Sequence, residues 1–218
     1  MLEQIAYTRN PRLPQDMIHH AAGRFDSTGF LLPPRQRTIY ENIARATGKK
    51  SILEAGCGIG AGAHILRGRP FLYKDNEVVH RIVIGTDVDE RHVEFARQLY
   101  PFGAFDLWDI ESGPYPAKLY DAVVAVEVIE HVEDPLAAIK NLALSCREEV
   151  WISTPNRQNP KLSQAGPPHN RHHVQEFIPK EVLHLGAPFF SRGEALDVNL
   201  APVELDTEST PLVYHFVL

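Results

Sequence analysis

Ser51-Ile-Leu-Glu-Ala-Gly-Cys-Gly-Ile-Gly60 decides how the rest of the chain is read. Ile52 and Leu53 form the apolar end of a buried strand. Gly56, Gly58 and Gly60 at alternate positions let the backbone turn sharply and approach a ligand more closely than any Cβ permits. Residues 61–66 then suit a helix whose first turn aims unpaired N–H groups back at the loop. Such a unit is built to hold a nucleotide-like ligand. The alternative, a glycine turn with no ligand, leaves three entropically costly residues without a use.

Two ligand classes use a loop of this kind. With Ala61 in the last position, Gly56-x-Gly58-x-x-Ala61 also satisfies the loose dinucleotide pattern, so the glycines alone do not separate a nicotinamide cofactor from S-adenosylmethionine. Glu54 leans the choice. A carboxylate at the strand end repels a pyrophosphate, whereas S-adenosylmethionine carries no phosphate and offers an α-ammonium and a sulfonium. The run Glu54-Ala-Gly-Cys-Gly-Ile-Gly60 resembles the first motif of class I S-adenosylmethionine-dependent methyltransferases. The resemblance implies a Rossmann-like α/β fold whose mostly parallel seven-stranded sheet ends in an antiparallel C-terminal hairpin. It places the cofactor against Glu54, Gly56, Cys57, Gly58 and Gly60.

The 218 residues, 44% hydrophobic and 23% charged, suffice for one well-buried α/β domain, with residues 1–47 as an N-terminal lid or helical extension and 48–218 as the core. No apolar run is long enough to span a bilayer, and residues 1–20 lack the apolar core of a signal peptide, so a cytoplasmic monomer or homodimer is expected. Two cysteines, Cys57 in the loop and Cys146 at an expected helix end, are too few for a disulfide framework or a zinc site. A net charge of −6 weighs against a broad nucleic-acid surface, although the eleven histidines and local basic clusters leave room for a small basic mouth.

In chain order, Asp16 caps a short helix in the lid, residues 28–37 form a loop, and 38–46 have helical apolar spacing. Residues 68–76 suggest no role. Residues 78–86 carry the continuous apolar run of a buried parallel strand and lead into Asp87-Val-Asp89. An acid at that strand end can accept both ribose hydroxyls, and Val88 beside it can cover an adenine. In the plainer alternative, Asp89 caps the helix 90–99 and Asp87 only assists it. Strands are also expected at 102–107, 120–126 and 149–153, a helix at 179–186, and a closing hairpin from 196–205 and 212–218. By the methyltransferase resemblance, Asp109 after the third strand bonds the adenine amine, with Ile110 adding an N–H and apolar cover.

Glu127-Val-Ile-Glu-His-Val-Glu-Asp-Pro135 matches the family's motif after strand four. A strand end followed by one helical turn brings Glu127, Glu130 and His131 towards a common mouth, and His173 in the proline- and histidine-bearing loop 157–177 is a fourth candidate. That long loop reads as a lid over the acceptor. Two readings stand for the cluster. In one, Glu130 and His131 bond the loop backbone and Glu127 faces the cofactor pocket. In the other, Glu127, Glu130, His131 and His173 ligate a divalent metal, with Mn, Fe, Co or Zn suiting the donors better than Mg. If no metal is held, His131 and His173 are the candidate bases.

Phe30-Leu-Leu-Pro-Pro34, Gln36-Arg37, Glu127-x-x-Glu-His131, Ser153-Thr-Pro-Asn156 and His173-x-x-Glu176 also resemble, in patches, the small RNA 3′-end 2′-O-methyltransferases, with Phe177 where those carry tryptophan. The same segments typify methyltransferases of small molecules, sugars and lipids. The expected activity is methyl transfer to a hydroxyl or amine of a small metabolite, lipid or glycan. The alternatives are a metal-assisted enzyme acting on an RNA end, a silent S-adenosylmethionine-binding module, or a nicotinamide-dependent oxidoreductase.

Overall fold

The computed structural model describes residues 32–48, 50–68, 81–116, 120–162, 168, 170 and 172–218. In order, the elements are α1 Pro34–Ala46, β1 Ile52–Ala55, α2 Ala61–Arg67, β2 Val83–Asp87, α3 Glu90–Leu99, β3 Ala104–Leu107, β4 Tyr120–Val126, a 3₁₀ turn Ile129–His131, α4 Pro135–Leu144, β5 Cys146–Thr154, α5 Pro179–Gly186, β6 Arg192–Leu196 and β7 Leu212–Val217. They form one seven-stranded sheet in the order β3-β2-β1-β4-β5-β7-β6. The first five strands are parallel, and β7 runs antiparallel to both β5 and β6.

The sheet is covered on both faces, and strand alternation shows how. Ala122, Val124 and Val126 of β4 pack with Ile39 and Ile43 of α1, Leu66 of α2 and Val93 and Ala96 of α3. Val123 and Ala125 pack the other way, with Ala138, Ile139 and Leu142 of α4 and Val182 of α5. Burial on both faces is why β4 reads as an unbroken apolar run from Ala122 to Val126. The helices use the expected stop and start chemistry. Asp89 accepts from Arg91 N to cap α3, and Asp134 accepts from Ala137 N to cap α4, whose first residue is Pro135.

Several boundaries differ from the sequence reading. α1 starts at Pro34 rather than residue 38, because a proline at the first helical position leaves no intrahelical bond unmade. Cys146 follows directly on Ser145, the C-cap of α4, and already opens β5, so the strand starts three residues before the expected 149. The sixth strand occupies Arg192–Leu196, not 196–205. Asp197 Oδ1 accepts from Asn199 N and Ala201 N, and Leu200 takes φ +63°, so the chain turns away where alternation alone suggested extension. The expected lid helix, the 68–76 connection apart from Gly68, and the start of the second strand before residue 81 lie outside the described residues. No described helix is long and apolar enough to cross a membrane.

Candidate active site

The order β2-β1-β4 makes the gap between β1 and β4 the switch point of the sheet, where ligands bind beyond the strands' carboxyl ends. The loops after β1 and β4 meet there. Gly56, Gly58 and Gly60 have φ between +51° and +87°, and a Cβ on Gly56 would sit 2.5 Å from Val128 Cγ2. Only glycine serves at Gly56, on backbone conformation and on space alike. The loop is held from below: Cys57 N donates to Thr86 O (2.8 Å) and Gly58 N to Asp87 Oδ2 (2.8 Å). Cys57 itself is buried, and burial pushes its thiol well up, consistent with a small inert packing residue.

Glu54 lies at the end of β1 with no solvent exposure, and neither carboxylate oxygen makes a hydrogen bond of ordinary geometry. Tyr40 of α1, itself buried, and the Ala63 amide stand beside it and hold its carboxyl down. Burial outweighs them and, aided by the charge of Asp87, pushes the Glu54 carboxyl up to about 8. An orphaned buried carboxylate under a positive-φ glycine turn fits a ligand that brings a cation, as the α-ammonium of S-adenosylmethionine does. It does not fit a pyrophosphate.

Asp87 is nearly buried at the end of β2. Its Oδ1 accepts from Asp89 N (3.0 Å) and faces His92 Nδ1 (3.2 Å). The hydrogen bond with Asp87 raises the His92 pKa. Asp87 therefore supports the α3 cap, and each oxygen keeps lone-pair capacity for a further donor. Next to it Val88 is 67% exposed, an apolar shelf that suits an adenine face. Asp109, in the turn after β3, is exposed and accepts from Glu111 N (2.9 Å). Ile110 is buried in the core, and its carbonyl accepts from Asn141 Nδ2 (2.7 Å).

Glu127 follows β4 with φ +57°, a left-handed conformation unusual for a non-glycine residue and common at functional sites. It is half-buried, and Ser153 Oγ donates to its Oε1 at 2.9 Å. Glu130 is fully buried; Thr154 Oγ1 donates to its Oε2 at 3.0 Å, while Oε1 has no partner. Burial raises both carboxyls, and the charge of Glu127 adds to the rise at Glu130.

Residues 172–176 fold back over this turn, with Val174 N donating to Glu130 O at 2.8 Å. That brings the His131 and His173 rings edge to face, 4.9 Å between centroids. His131 Nδ1 lies 2.8 Å from the His172 carbonyl, which can only accept, so Nδ1 carries the proton and the lone pair of the neutral ring is on Nε2. His173 pairs through Nδ1 with buried Glu176 at 2.9 Å and through Nε2 with Asn170 Nδ2 at 3.0 Å. Glu130, His131 and His173 offer ligand atoms all within 4.8 Å of one another; Glu127 falls outside that group.

Three neighbours of the candidate site residues carried no signal of their own in the sequence. Tyr40 reaches Glu54 from a helix read only as preceding the core, His92 reaches Asp87 from the next turn of α3, and Asn170 reaches His173. Glu176 was visible only as part of the His173-x-x-Glu176 pattern.

The family profile described as a methyltransferase domain matches residues 18–185. A "Probable S-adenosylmethionine-dependent methyltransferase" of Mycobacterium tuberculosis is 32% identical over 125 residues, covering 56% of this chain and 42% of the relative. A ubiquinone biosynthesis O-methyltransferase of Vibrio campbellii is 30% identical over 142 residues, covering 62% and 56%. The chain thus spans about half the length of the curated relatives it matches. Among solved structures, a TehB-like S-adenosylmethionine-dependent methyltransferase from Corynebacterium glutamicum superposes with a TM-score of 0.60 at 18% identity, over 82% of this chain and 86% of that one. The methyltransferase domain of bacterial CtHen1 gives 0.61 at 21% identity, over 84% and 97%. These last two show the fold alone. Since the profile takes in β1 to β5 and every loop at their carboxyl ends, the chain belongs to the methyltransferase-domain family, on the class I S-adenosylmethionine-dependent fold.

Proposed function

We propose that the protein transfers a methyl group from S-adenosylmethionine to a hydroxyl or amine of a small metabolite, lipid or glycan in the cytoplasm. The observation that carries the cofactor half is Glu54, an unexposed carboxyl group beneath the glycine turn whose oxygens make no hydrogen bond of ordinary geometry. When bound, S-adenosylmethionine supplies a sulfonium-activated methyl. Glu54 would hold the α-ammonium, Asp87 the ribose hydroxyls, Val88 the adenine face and Asp109 its amine. The chain's remaining tasks are to align the acceptor, exclude water and take a proton from it. His131 Nε2 is the basic nitrogen best placed for that proton, with His173 against its ring and Glu176 fixing His173. The match to a ubiquinone biosynthesis O-methyltransferase supports a hydroxyl acceptor.

A second reading rests on the 4.8 Å grouping of Glu130, His131 and His173, which could hold a divalent cation to polarise an acceptor oxygen, as an enzyme acting on an RNA end would use it. Glu127 would then stand beside the metal rather than on it. Methyl transfer to an acceptor panel, with and without chelator, separates the two. His131→Ala should lower turnover by about 10²–10⁴-fold in either case while leaving cofactor affinity nearly unchanged. Chelator-resistant activity supports the base. Activity lost to chelator and restored by Mn or Co supports the metal. A near-native His131→Ala rate with chelator-resistant activity refutes both.

A further inference from the structure

Beyond β5 the chain builds a second recess that the proposed transfer chemistry does not use. Fully buried Asn156 donates through Nδ2 to the carbonyls of Thr207 (2.7 Å) and Ser209 (3.0 Å), pinning the β6–β7 connection over the end of β5. Asn159 Nδ2 adds a bond to Glu208 O (2.6 Å), and the Gln158 side-chain amide, once its oxygen and nitrogen are exchanged, donates to Leu205 O and Thr207 O (3.1 and 3.2 Å). On the other wall Arg157 N donates to Phe177 O (2.8 Å), and the Arg157 guanidinium bonds both oxygens of Glu181 (3.0 and 3.2 Å). Between these walls lies a solvent-open cavity of 380 Å³ lined by Arg157, Gln158, Ile178, Asp206 and Glu208. That is within the range of about 300–1,000 Å³ for small-ligand sites. It borders the acceptor side of the candidate active site: Thr154, two residues before Asn156, bonds Glu130, and Glu176, two residues before Ile178, bonds His173.

We propose that this cavity is a subsite for a neutral, hydroxyl-rich ring, a sugar unit of the methyl acceptor. The inference rests on the methyltransferase reading above and narrows its acceptor class. Hydroxyls both donate and accept, and the lining offers both roles: two carboxylates to accept and a guanidinium to donate, with Ile178 as an apolar patch for the C–H face of a ring. The charge balance decides between sugar and phosphate. Arg157 is already neutralised by Glu181, whereas among the described residues no cation lies within 4.0 Å of Asp206 or Glu208. The described lining side chains therefore carry net negative charge, which opposes a phosphate or a nucleic-acid end.

Saturation-transfer NMR on the whole chain, with and without S-adenosylhomocysteine, tests this with methyl α-glucoside, α-galactoside and α-mannoside. Glucose 6-phosphate and a short single-stranded RNA are the opposing probes. At least one neutral glycoside should bind, and glucose 6-phosphate about tenfold more weakly or not at all. The D206N/E208Q variant, altered only at exposed side chains, should lose about tenfold or more of glycoside affinity as charge-assisted bonds become neutral, with S-adenosylhomocysteine affinity held within about twofold. The proposal is overturned if no glycoside binds, if the variant binds glycosides like the wild type, or if the phosphate or the RNA binds better. Failure of S-adenosylhomocysteine to bind the wild type would overturn the cofactor reading instead, while the glycoside signals, read without cofactor, still decide this one.

Discussion

If Glu54 holds the cofactor's ammonium, cofactor binding must expel a proton. With burial pushing its carboxyl up to about 8, Glu54 is mostly protonated at pH 7 in the absence of a cationic ligand, yet only the carboxylate attracts the ammonium. Each pH unit below 8 then weakens binding about tenfold, so affinity for S-adenosylhomocysteine should rise roughly 20–30-fold from pH 6.0 to 7.5. The upper limit stays below the range, about 7.7–8.0, where the ligand's own α-amino group titrates. Isothermal titration calorimetry in phosphate and in Tris at pH 7 should show close to one proton released per ligand bound, from the difference in apparent enthalpy. Glu54→Gln should abolish the pH slope. Affinity that changes by less than about twofold over this range, with no buffer dependence, would refute the linkage. The same shift has a stability sign. The folded-state pKa lies above the ordinary glutamate value of 4.5, so the folded chain retains a proton that the unfolded chain releases. Without cofactor it therefore loses stability as pH rises from about 4.5 to about 8, by roughly 5 kcal/mol in total, and Glu54→Gln should be the more stable protein at pH 8.

Gly62→Ala should cost about 1–3 kcal/mol in urea denaturation, because its Cβ would overlap Glu54 Oε1 and the Tyr40 ring; an unchanged midpoint would contradict that packing. Asp87→Ala should weaken cofactor binding by roughly 2–4 kcal/mol, and unchanged calorimetric affinity in a variant with native circular dichroism would remove Asp87 from the site. Asn156→Ala should destabilise by roughly 2–4 kcal/mol, since two carbonyls lose their side-chain donor, and a thermal midpoint equal to wild type would mean the β6–β7 connection is held by other bonds.

The parts of the site that lie within one local segment were legible without the structure. The strand and glycine turn at 51–60, Asp87 at a strand end, and the Asp89 cap follow from glycine conformation, apolar run length and side-chain hydrogen bonding over a few residues. Glu130 and His131 were readable as a pair for the same reason, since one 3₁₀ turn carries both. Local pattern failed at the β6–β7 connection, where alternating residues after 196 suggested a strand. The Asp197 turn and the bridge from Leu196 to Pro202 instead fold that segment back, and Asn42 of α1 donates to Val198 O at 2.9 Å.

Pairing across long sequence separations had to wait for the tertiary structure, because nothing in either partner's neighbourhood encodes the other. Arg81, inside the segment 78–86 read as a strand, sends its guanidinium to the carbonyls of Ala44, Gly48 and Leu66, closing the ends of α1 and α2. Tyr40 and Glu54, His92 and Asp87, and His131 with His173 are likewise brought together only when helices pack on the sheet. The same holds for the separation of Glu127 from Glu130. Their spacing suggested a shared ligand set, but the left-handed turn at Glu127 sends its carboxylate to Ser153, while Glu130 turns inward to Thr154. The sequence alone determined the fold and the class of cofactor, because apolar period and glycine placement are local. Which carboxylate is orphaned, which imidazole nitrogen is basic, and where a recess opens beside them were decided by packing, because burial and hydrogen-bond partners exist only once distant segments meet.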